Sequence, residues 1–265
     1  MKTYFVDSFT NQKFKGNPAA VCIVETDIDN QLMQNIATEI GFSETAFIKY
    51  ISRNNYSIRF YTPKKEIPLC GHATLGASKI LFETSSLETI NFINCENVEL
   101  RIEKVDGKIM MQFPVYETTD FTVPEPVFSA LGIDKALDAR YSPKNKIILI
   151  EISDPGTLAG LKPDFVALIN SYKGINGVLV TARSNDTGFD FHYRYFWPWA
   201  GTNEDPVTGG VQTFLTKYWA QKLGKTKFKA FQSSSRTGTM ITELVNDKVF
   251  IYGEAVITFE GEFLS

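Results

Sequence analysis

The sequence predicts an α/β (α+β) protein built from two similar lobes, and three observations lead there. The chain repeats itself: Arg59-Phe60-Tyr61-Thr62-Pro63 followed by Glu66-Ile67-Pro68-Leu69-Cys70-Gly71 returns as Arg194-Tyr195-Phe196-Trp197-Pro198 followed by Glu204-Asp205-Pro206-Val207-Thr208-Gly209. The offset between copies drifts from 133 residues at Gly41/Gly174 to 135 at Arg59/Arg194 and 138 at Cys70/Thr208. That drift suits a duplicated domain with small insertions rather than a solenoid, whose period would be about 20–50 residues. A length of 265 residues accommodates two cores of ordinary size. Strand and helix signals also follow one another in the same order in both halves. Paired lobes of this kind are expected to hold a ligand pocket at their junction.

Each element has its own local reason. Ala19 to Val24, Ala46 to Tyr50 and Tyr56 to Tyr61 are β-branched or alternating runs that read as strands. Between the first two, Asp27-Ile28-Asp29-Asn30 supplies caps for a helix whose apolar stripe is Leu32, Met33, Ile36, Ala37 and Ile40, and Gly41 stops it. A buried helix follows Cys70-Gly71-His72 over Ala73 to Phe82, and its counterpart follows Gly209-Gly210 over Val211 to Leu223. Asp106-Gly107 joins Val98 to Ile102 and Lys108 to Phe113 as a hairpin. Pro114 to Pro126 reads as a linker. Beyond it come a strand over Lys146 to Ile152, a helix over Asp164 to Ser171, and strands over Gly177 to Thr181 and Phe189 to Phe196. Final strands cover Lys248 to Tyr252 and Glu254 to Glu260. The lobes are therefore placed at 1–117 and 126–253, with the last strand, 254–264, returning to the first lobe.

Composition narrows the function. With 43% hydrophobic and 22% charged residues the chain is globular, and a net charge of −3 gives no footprint for a nucleic-acid backbone. No apolar run spans a bilayer, and Met1-Lys2-Thr3-Tyr4-Phe5-Val6-Asp7 reaches a charge too early for a secretory leader, so a cytoplasmic location is expected. Three widely spaced cysteines and two histidines argue against a disulfide framework or a metal cluster. Metal-free, cofactor-free chemistry is the expectation.

Two helices that open at glycines, Gly71-His72-Ala73 and Gly209-Gly210-Val211, offer unpaired amides and a positive dipole end to an anion such as a small carboxylate. Glu44, after a helix-ending glycine and before apolar Ala46-Phe47-Ile48, reads either as a solvated loop residue or as a desolvated acid/base of raised pKa. Gly177 holds the matching place in the second half, which favours the second reading. His72, at a helix start, is expected to be neutral, serving as a donor or relay or simply satisfied by backbone. Cys70 reads as a lowered-pKa thiol or as packing. Asp205 reads as a turn-former capping the second helix or as a polar group facing Glu44 or His72.

Phe14-Lys15-Gly16-Asn17-Pro18-Ala19-Ala20-Val21, Gly41-Phe42-Ser43-Glu44-Thr45-Ala46-Phe47, Phe60-Tyr61-Thr62-Pro63 with Leu69-Cys70-Gly71-His72-Ala73-Thr74-Leu75, and Asn203-Glu204-Asp205-Pro206-Val207-Thr208-Gly209 resemble the PhzF-like phenazine-biosynthesis family. The resemblance implies a diaminopimelate-epimerase-like fold, each lobe a curved sheet around a central helix. It implies a cofactor-independent isomerase, often a homodimer, that moves a proton on a small carboxylate substrate. Carried across by position, Glu44 is the general acid/base, His72 and Asp205 are its polar partners, and Asn17, Cys70, Gly71, Thr208, Gly209 and Gly210 belong to the substrate site. Gly210 departs from the family pattern, which frequently has serine there.

Two-base epimerisation of an amino acid needs opposed bases, and the pair available, Cys70 and Thr208, is too unequal. A single carboxylate that shuttles a proton along one face of the substrate is the leading expectation, with the two-base epimerase and a non-catalytic carboxylate binder as alternatives.

Overall fold

The computed structural model describes residues 1–264. The chain divides into two compact units, Met1–Phe113 with Phe250–Ser265, and Pro114–Val249. The second boundary falls a few residues ahead of the predicted one. Pro114 to Pro126 also differs from its reading as a linker: it belongs to the second unit and contributes a short strand and the start of a helix.

The first unit opens with β1 (Lys2–Ser8) and β2 (Asn17–Val24), which pair antiparallel. Helix α1 (Asn30–Ile40) crosses to β3 (Thr45–Ser52), which lies parallel to β2. Its ends are the predicted ones: Asp29 Oδ2 accepts from the Gln31 amide, and Gly41, at φ +72°, takes the left-handed conformation that ends the helix. Antiparallel β4 (Asn55–Tyr61) and β5 (Glu66–Ile67) lead to α2 (Gly71–Thr84). Then β6 (Thr89–Ile93) returns parallel to β4, and β7 (Glu99–Val105) and β8 (Lys108–Pro114) form the hairpin turned by Asp106-Gly107. Every residue of α2 from His72 to Ser78 is buried, so this helix is enclosed rather than laid on a surface. The small residues make that possible: a side chain at Gly76 would stand 3.3 Å from Val6 Cβ.

The second unit repeats this ladder. After β9 (Thr119–Asp120) and α3 (Glu125–Leu131), β10 (Asp138–Ser142) pairs antiparallel with β11 (Ile147–Ile152). Helices α4 (Pro155–Gly160) and α5 (Phe165–Ser171) cross to β12 (Gly177–Arg183), which is parallel to β11. Antiparallel β13 (Phe191–Trp197) and β14 (Thr202–Asp205) lead to the buried α6 (Gln212–Leu223), and β15 (Lys227–Gln232) returns parallel to β13 and antiparallel to β16 (Gly238–Val245). The chain ends with β17 (Lys248–Gly253) and β18 (Ala255–Glu262), and β18 pairs with β1 of the first unit. Among the described residues no helix is long and apolar enough to cross a membrane.

Register makes the duplication specific. Phe47 faces Arg59 and Val180 faces Arg194; Tyr61 faces Glu66 and Phe196 faces Glu204. In both units the repeated arginine grips the repeated glutamate through Nε and Nη2, all four contacts at 2.7 Å. The repeated Arg…Glu motif is thus a structural clasp across β4–β5 and β13–β14. In the second unit it also ends a helix, because Arg194 Nη1 donates to the carbonyls of Leu158, Ala159 and Leu161 at 3.2, 3.3 and 2.8 Å. This register makes Gly177 the counterpart of Glu44, and Tyr195 the counterpart of Phe60.

Candidate active site

One end of the first unit gathers the residues that could do chemistry. Asn17 opens β2, wholly buried and opposite Ser8 of β1. The turn before it requires Gly16: φ is +67°, and a Cβ there would stand 2.2 Å from the Ser8 carbonyl oxygen. Glu44 sits one residue before β3, and its carbonyl accepts from the Ala20 amide at 3.2 Å, which fixes its backbone to β2. Ser8 Oγ donates to the His72 carbonyl at 2.7 Å, tying the end of β1 to the first turn of α2.

Within that frame Glu44, Cys70 and His72 form one buried cluster. They are 5%, 8% and 7% exposed, respectively. His72 Nε2 lies 3.1 Å from Glu44 Oε2, and Cys70 Sγ lies 3.5 Å from His72 Nδ1. The Glu44–His72 contact is an ion pair by distance, but the ring N–H is not aimed along it. Among the described residues Glu44 Oε2 has no directed hydrogen bond. Cys70 is the N-cap of α2 and makes no side-chain cap bond. Gly71 has room for a side chain, its nearest neighbour being Phe113 Cζ at 3.8 Å, so no steric demand explains the glycine.

The electrostatics overturn three sequence expectations, the raised pKa of Glu44, the neutral His72 and the lowered pKa of Cys70. Burial alone would raise Glu44, as expected from its position, yet the charge of the adjacent His72, helped by Ser43 and Cys70, holds its carboxyl below the usual range. Burial likewise opposes a charge on His72, but the Cys70 sulfur and the Glu44 carboxylate lift the ring well above an ordinary imidazole. Burial pushes Cys70 itself up, so at neutral pH its sulfur is a thiol and the carboxylate is what keeps the proton on His72. His72 is therefore an imidazolium rather than the neutral ring predicted from the helix dipole. Cys70 is not a lowered-pKa thiol. The resting cluster is a carboxylate beside a protonated imidazole.

A second cluster lies in the other unit. Asp205 is the last residue of β14, 9% exposed, and Thr208 Oγ1 donates to its Oδ2 at 2.5 Å. Gln232, missed in the sequence, clamps this turn: its Nε2 donates to the Asp205 carbonyl at 2.6 Å and its Oε1 accepts from the Thr208 amide at 2.7 Å. Asp205 does not cap α6. That helix begins at Gln212, later than the predicted opening at Gly209-Gly210-Val211, and is entered through i→i+3 bonds from Gln212 and Thr213 to the carbonyls of Gly209 and Gly210. Gly210 is exposed, with no atom within 4 Å of where a side chain would start, so the serine usual at this place would fit.

Among the described residues the donor atoms of Glu44, Cys70 and His72 are the group that could hold a metal ion, all lying within 4.8 Å of one another. A mixed N, O and S set of this kind suits zinc.

Comparison with known proteins gives this geometry a family. The model for phenazine biosynthesis-like proteins matches residues 6–261. This chain belongs to the phenazine biosynthesis-like (PhzF) family. An uncharacterised isomerase of Halalkalibacterium halodurans is 40% identical, with 98% of this chain and 97% of that protein covered. A PhzF-family crystal structure from Enterococcus faecalis superposes with TM-score 0.92 at 34% identity over 99% of both chains. A hydroxyproline epimerase from Agrobacterium vitis, solved with bound trans-4-hydroxy-L-proline, shares the fold at TM-score 0.56 and 11% identity over 98% of this chain and 91% of that one. The fold is thus the PhzF fold, related to that of the amino-acid epimerases. In this chain the repeated Arg59–Glu66 and Arg194–Glu204 clasps serve the scaffold.

Proposed function

We propose that this PhzF-family chain is an isomerase that moves one proton between two carbons of a small carboxylic acid, with Glu44 as the only base. The observation that carries the reading is the buried Glu44 carboxylate, held deprotonated beside the protonated His72 with one oxygen lacking a directed hydrogen bond. The name of the Halalkalibacterium relative, an isomerase, supports the class of reaction.

Glu44 Oε2 takes a proton from a carbon activated by the substrate's carboxylate, and the electron pair of that C–H bond spreads into the acid as an enolate. The His72 imidazolium keeps its own proton and stabilises Glu44 in the charged form from which the cycle starts. Glu44, now a carboxylic acid, returns the proton to the second carbon on the same face and is again a carboxylate. One C–H bond breaks, one forms, and no oxidation is involved. Amides at the start of α2, next to Glu44 and His72, are proposed as binding groups for the acid. Inversion by a second base is disfavoured because the counterparts of Glu44 and Cys70 are Gly177 and Thr208, neither a base at neutral pH.

The test uses cyclohex-1-ene-1-carboxylate, an allylic acid whose ring carbon can exchange through a dienolate, and trans-4-hydroxy-L-proline, in deuterated water followed by NMR. Wild-type protein is expected to exchange the allylic acid and Glu44→Gln to lose that exchange by at least about a hundredfold. Exchange that persists in Glu44→Gln, or none in the wild type with either acid, contradicts the proposal.

A further inference from the structure

Cys70-Gly71-His72 opens α2, and the first unit folds Glu44 against it. Three cysteines and two histidines in 265 residues speak against a metal cluster, yet one of each meets a carboxylate here. His72 Nε2 lies 3.1 Å from Glu44 Oε2 and 3.9 Å from Cys70 Sγ, and the donor atoms of all three residues fall within 4.8 Å of one another. A tetrahedral zinc ion, about 2.0–2.2 Å from nitrogen and oxygen and about 2.3 Å from sulfur, sets its ligands roughly 3.3 Å apart for N···O and roughly 3.6 Å for N···S. Both separations in the protein are within about 0.3 Å of those edges, so small side-chain shifts complete the site.

The backbone of each ligand is pinned. The Glu44 carbonyl accepts from the Ala20 amide at 3.2 Å, the Cys70 carbonyl from the Thr74 amide and hydroxyl at 3.0 and 2.7 Å, and the His72 carbonyl from Ser8 Oγ at 2.7 Å. Preorganised ligands have little freedom left to lose on binding. A separate observation points to an occupant: Glu44 Oε2 is buried and has no directed hydrogen bond, an oxygen that a cation would satisfy. The second unit offers nothing comparable, because Gly177, Thr208 and Gly210 stand at the positions of Glu44, Cys70 and His72. One ion per chain is the capacity.

We infer that Glu44 Oε2, Cys70 Sγ and His72 Nε2 form a zinc site, and that zinc bound there switches off the isomerase reaction proposed for Glu44. Binding displaces one proton from the Cys70 thiol and one from the His72 imidazolium, so a doubly charged cation enters, two protons leave, and no oxidation state changes. Three protein ligands leave a fourth position for water. The sulfur selects zinc over magnesium and calcium, which take oxygen ligands. Zinc occupies the Glu44 lone pair that the reaction uses on carbon, so metal and turnover exclude each other. The inhibition rests on the proposed function; the metal site rests on the geometry alone.

Cobalt(II) reports the site directly, because a tetrahedral thiolate complex gives a sulfur-to-cobalt charge-transfer band and strong visible d–d bands. Reduced wild-type protein is expected to bind one cobalt per chain with both signatures, and one equivalent of zinc to remove them. Cys95→Ser, which changes the exposed cysteine, should behave as wild type, whereas Cys70→Ala should lose the charge-transfer band and bind zinc at least about a hundredfold more weakly. In the exchange assay with cyclohex-1-ene-1-carboxylate, zinc should stop the wild type at one ion per chain, EDTA should restore it, and magnesium should have no effect. Cys70→Ala should need about a hundredfold more zinc to halve its own rate. A cobalt spectrum without the sulfur band, a band that survives Cys70→Ala or vanishes in Cys95→Ser, or full exchange with zinc bound overturns the inference. If the wild type exchanges neither acid, or Glu44→Gln still exchanges, the one-base reading fails and the inhibition with it; the metal site then stands or falls on the cobalt spectrum.

Discussion

Replacing Arg194 by alanine should destabilise the second unit far more than replacing Arg59 destabilises the first, although the two arginines are copies of one motif. The Arg194 and Glu204 side chains are 9% and 17% exposed, and the guanidinium makes two bonds to the carboxylate and three to helix-end carbonyls. Removing it leaves a largely buried carboxylate without its counter-charge, a loss of about 3–5 kcal/mol. Arg59 and Glu66 are each 27% exposed, and the third bond of Arg59 goes to Asn30 Oδ1 at 2.6 Å, so water takes up part of the loss and the cost falls to about 1 kcal/mol. The assay is urea unfolding. All three tryptophans, Trp197, Trp199 and Trp219, lie in the second unit, so their fluorescence follows that unit rather than an average of both. Because Glu204 adjoins Asp205, Arg194→Ala is also expected to loosen the Asp205–Thr208 turn. Equal losses for the two alanine variants would refute the argument that burial sets the worth of the clasp.

Three further outcomes are expected. Cys70→Ala should keep deuterium exchange within about tenfold of wild type, because the thiol is protonated at neutral pH and stands beside the base; complete loss, measured by the same NMR exchange, would make Cys70 a participant in the proton transfer and contradict Glu44 as the only base. Stability measured by circular dichroism against pH should carry both signatures of the ion pair. The Glu44 contribution is complete above its ordinary pKa of 4.5 and lost as pH falls through the lower folded value, while that of His72 is complete below 6.5 and lost as pH rises through the higher folded value. Glu44→Gln should therefore flatten the acid limb and His72→Asn the alkaline limb, and unchanged limbs would count against the charge assignment. Gly210→Ser should leave stability within about 0.5 kcal/mol of wild type, since the site is open, and a loss above that in urea unfolding would show a constraint the geometry lacks.

The parts of this fold legible in the sequence are those whose causes are local. Asp29, the Met33/Ile36/Ala37 stripe and Gly41 define α1 without help from any other segment, and Asp106-Gly107 does the same for the β7–β8 turn. Repetition exposed the two-unit plan because both copies kept the clasp residues. Other segments were harder. Lys227-Phe228-Lys229-Ala230-Phe231 alternates as a strand should but follows the end of α6 with almost no turn residues between, and Pro114 to Pro126 has the composition of a linker while β9 is held by pairing with β10. Glu44 and Cys70–His72 were recognisable as candidates. Their charges were not, because the helix dipole argues for a neutral His72 and the carboxylate that overrides it comes from 28 positions earlier in the chain.

The sharpest measurement is stereochemical: the face of cyclohex-1-ene-1-carboxylate that acquires deuterium from labelled water. A lone carboxylate on one side predicts label on a single face at every exchanging carbon, and none when Glu44 is glutamine. Label on both faces, or label that survives the glutamine substitution, would mean that another base is at work.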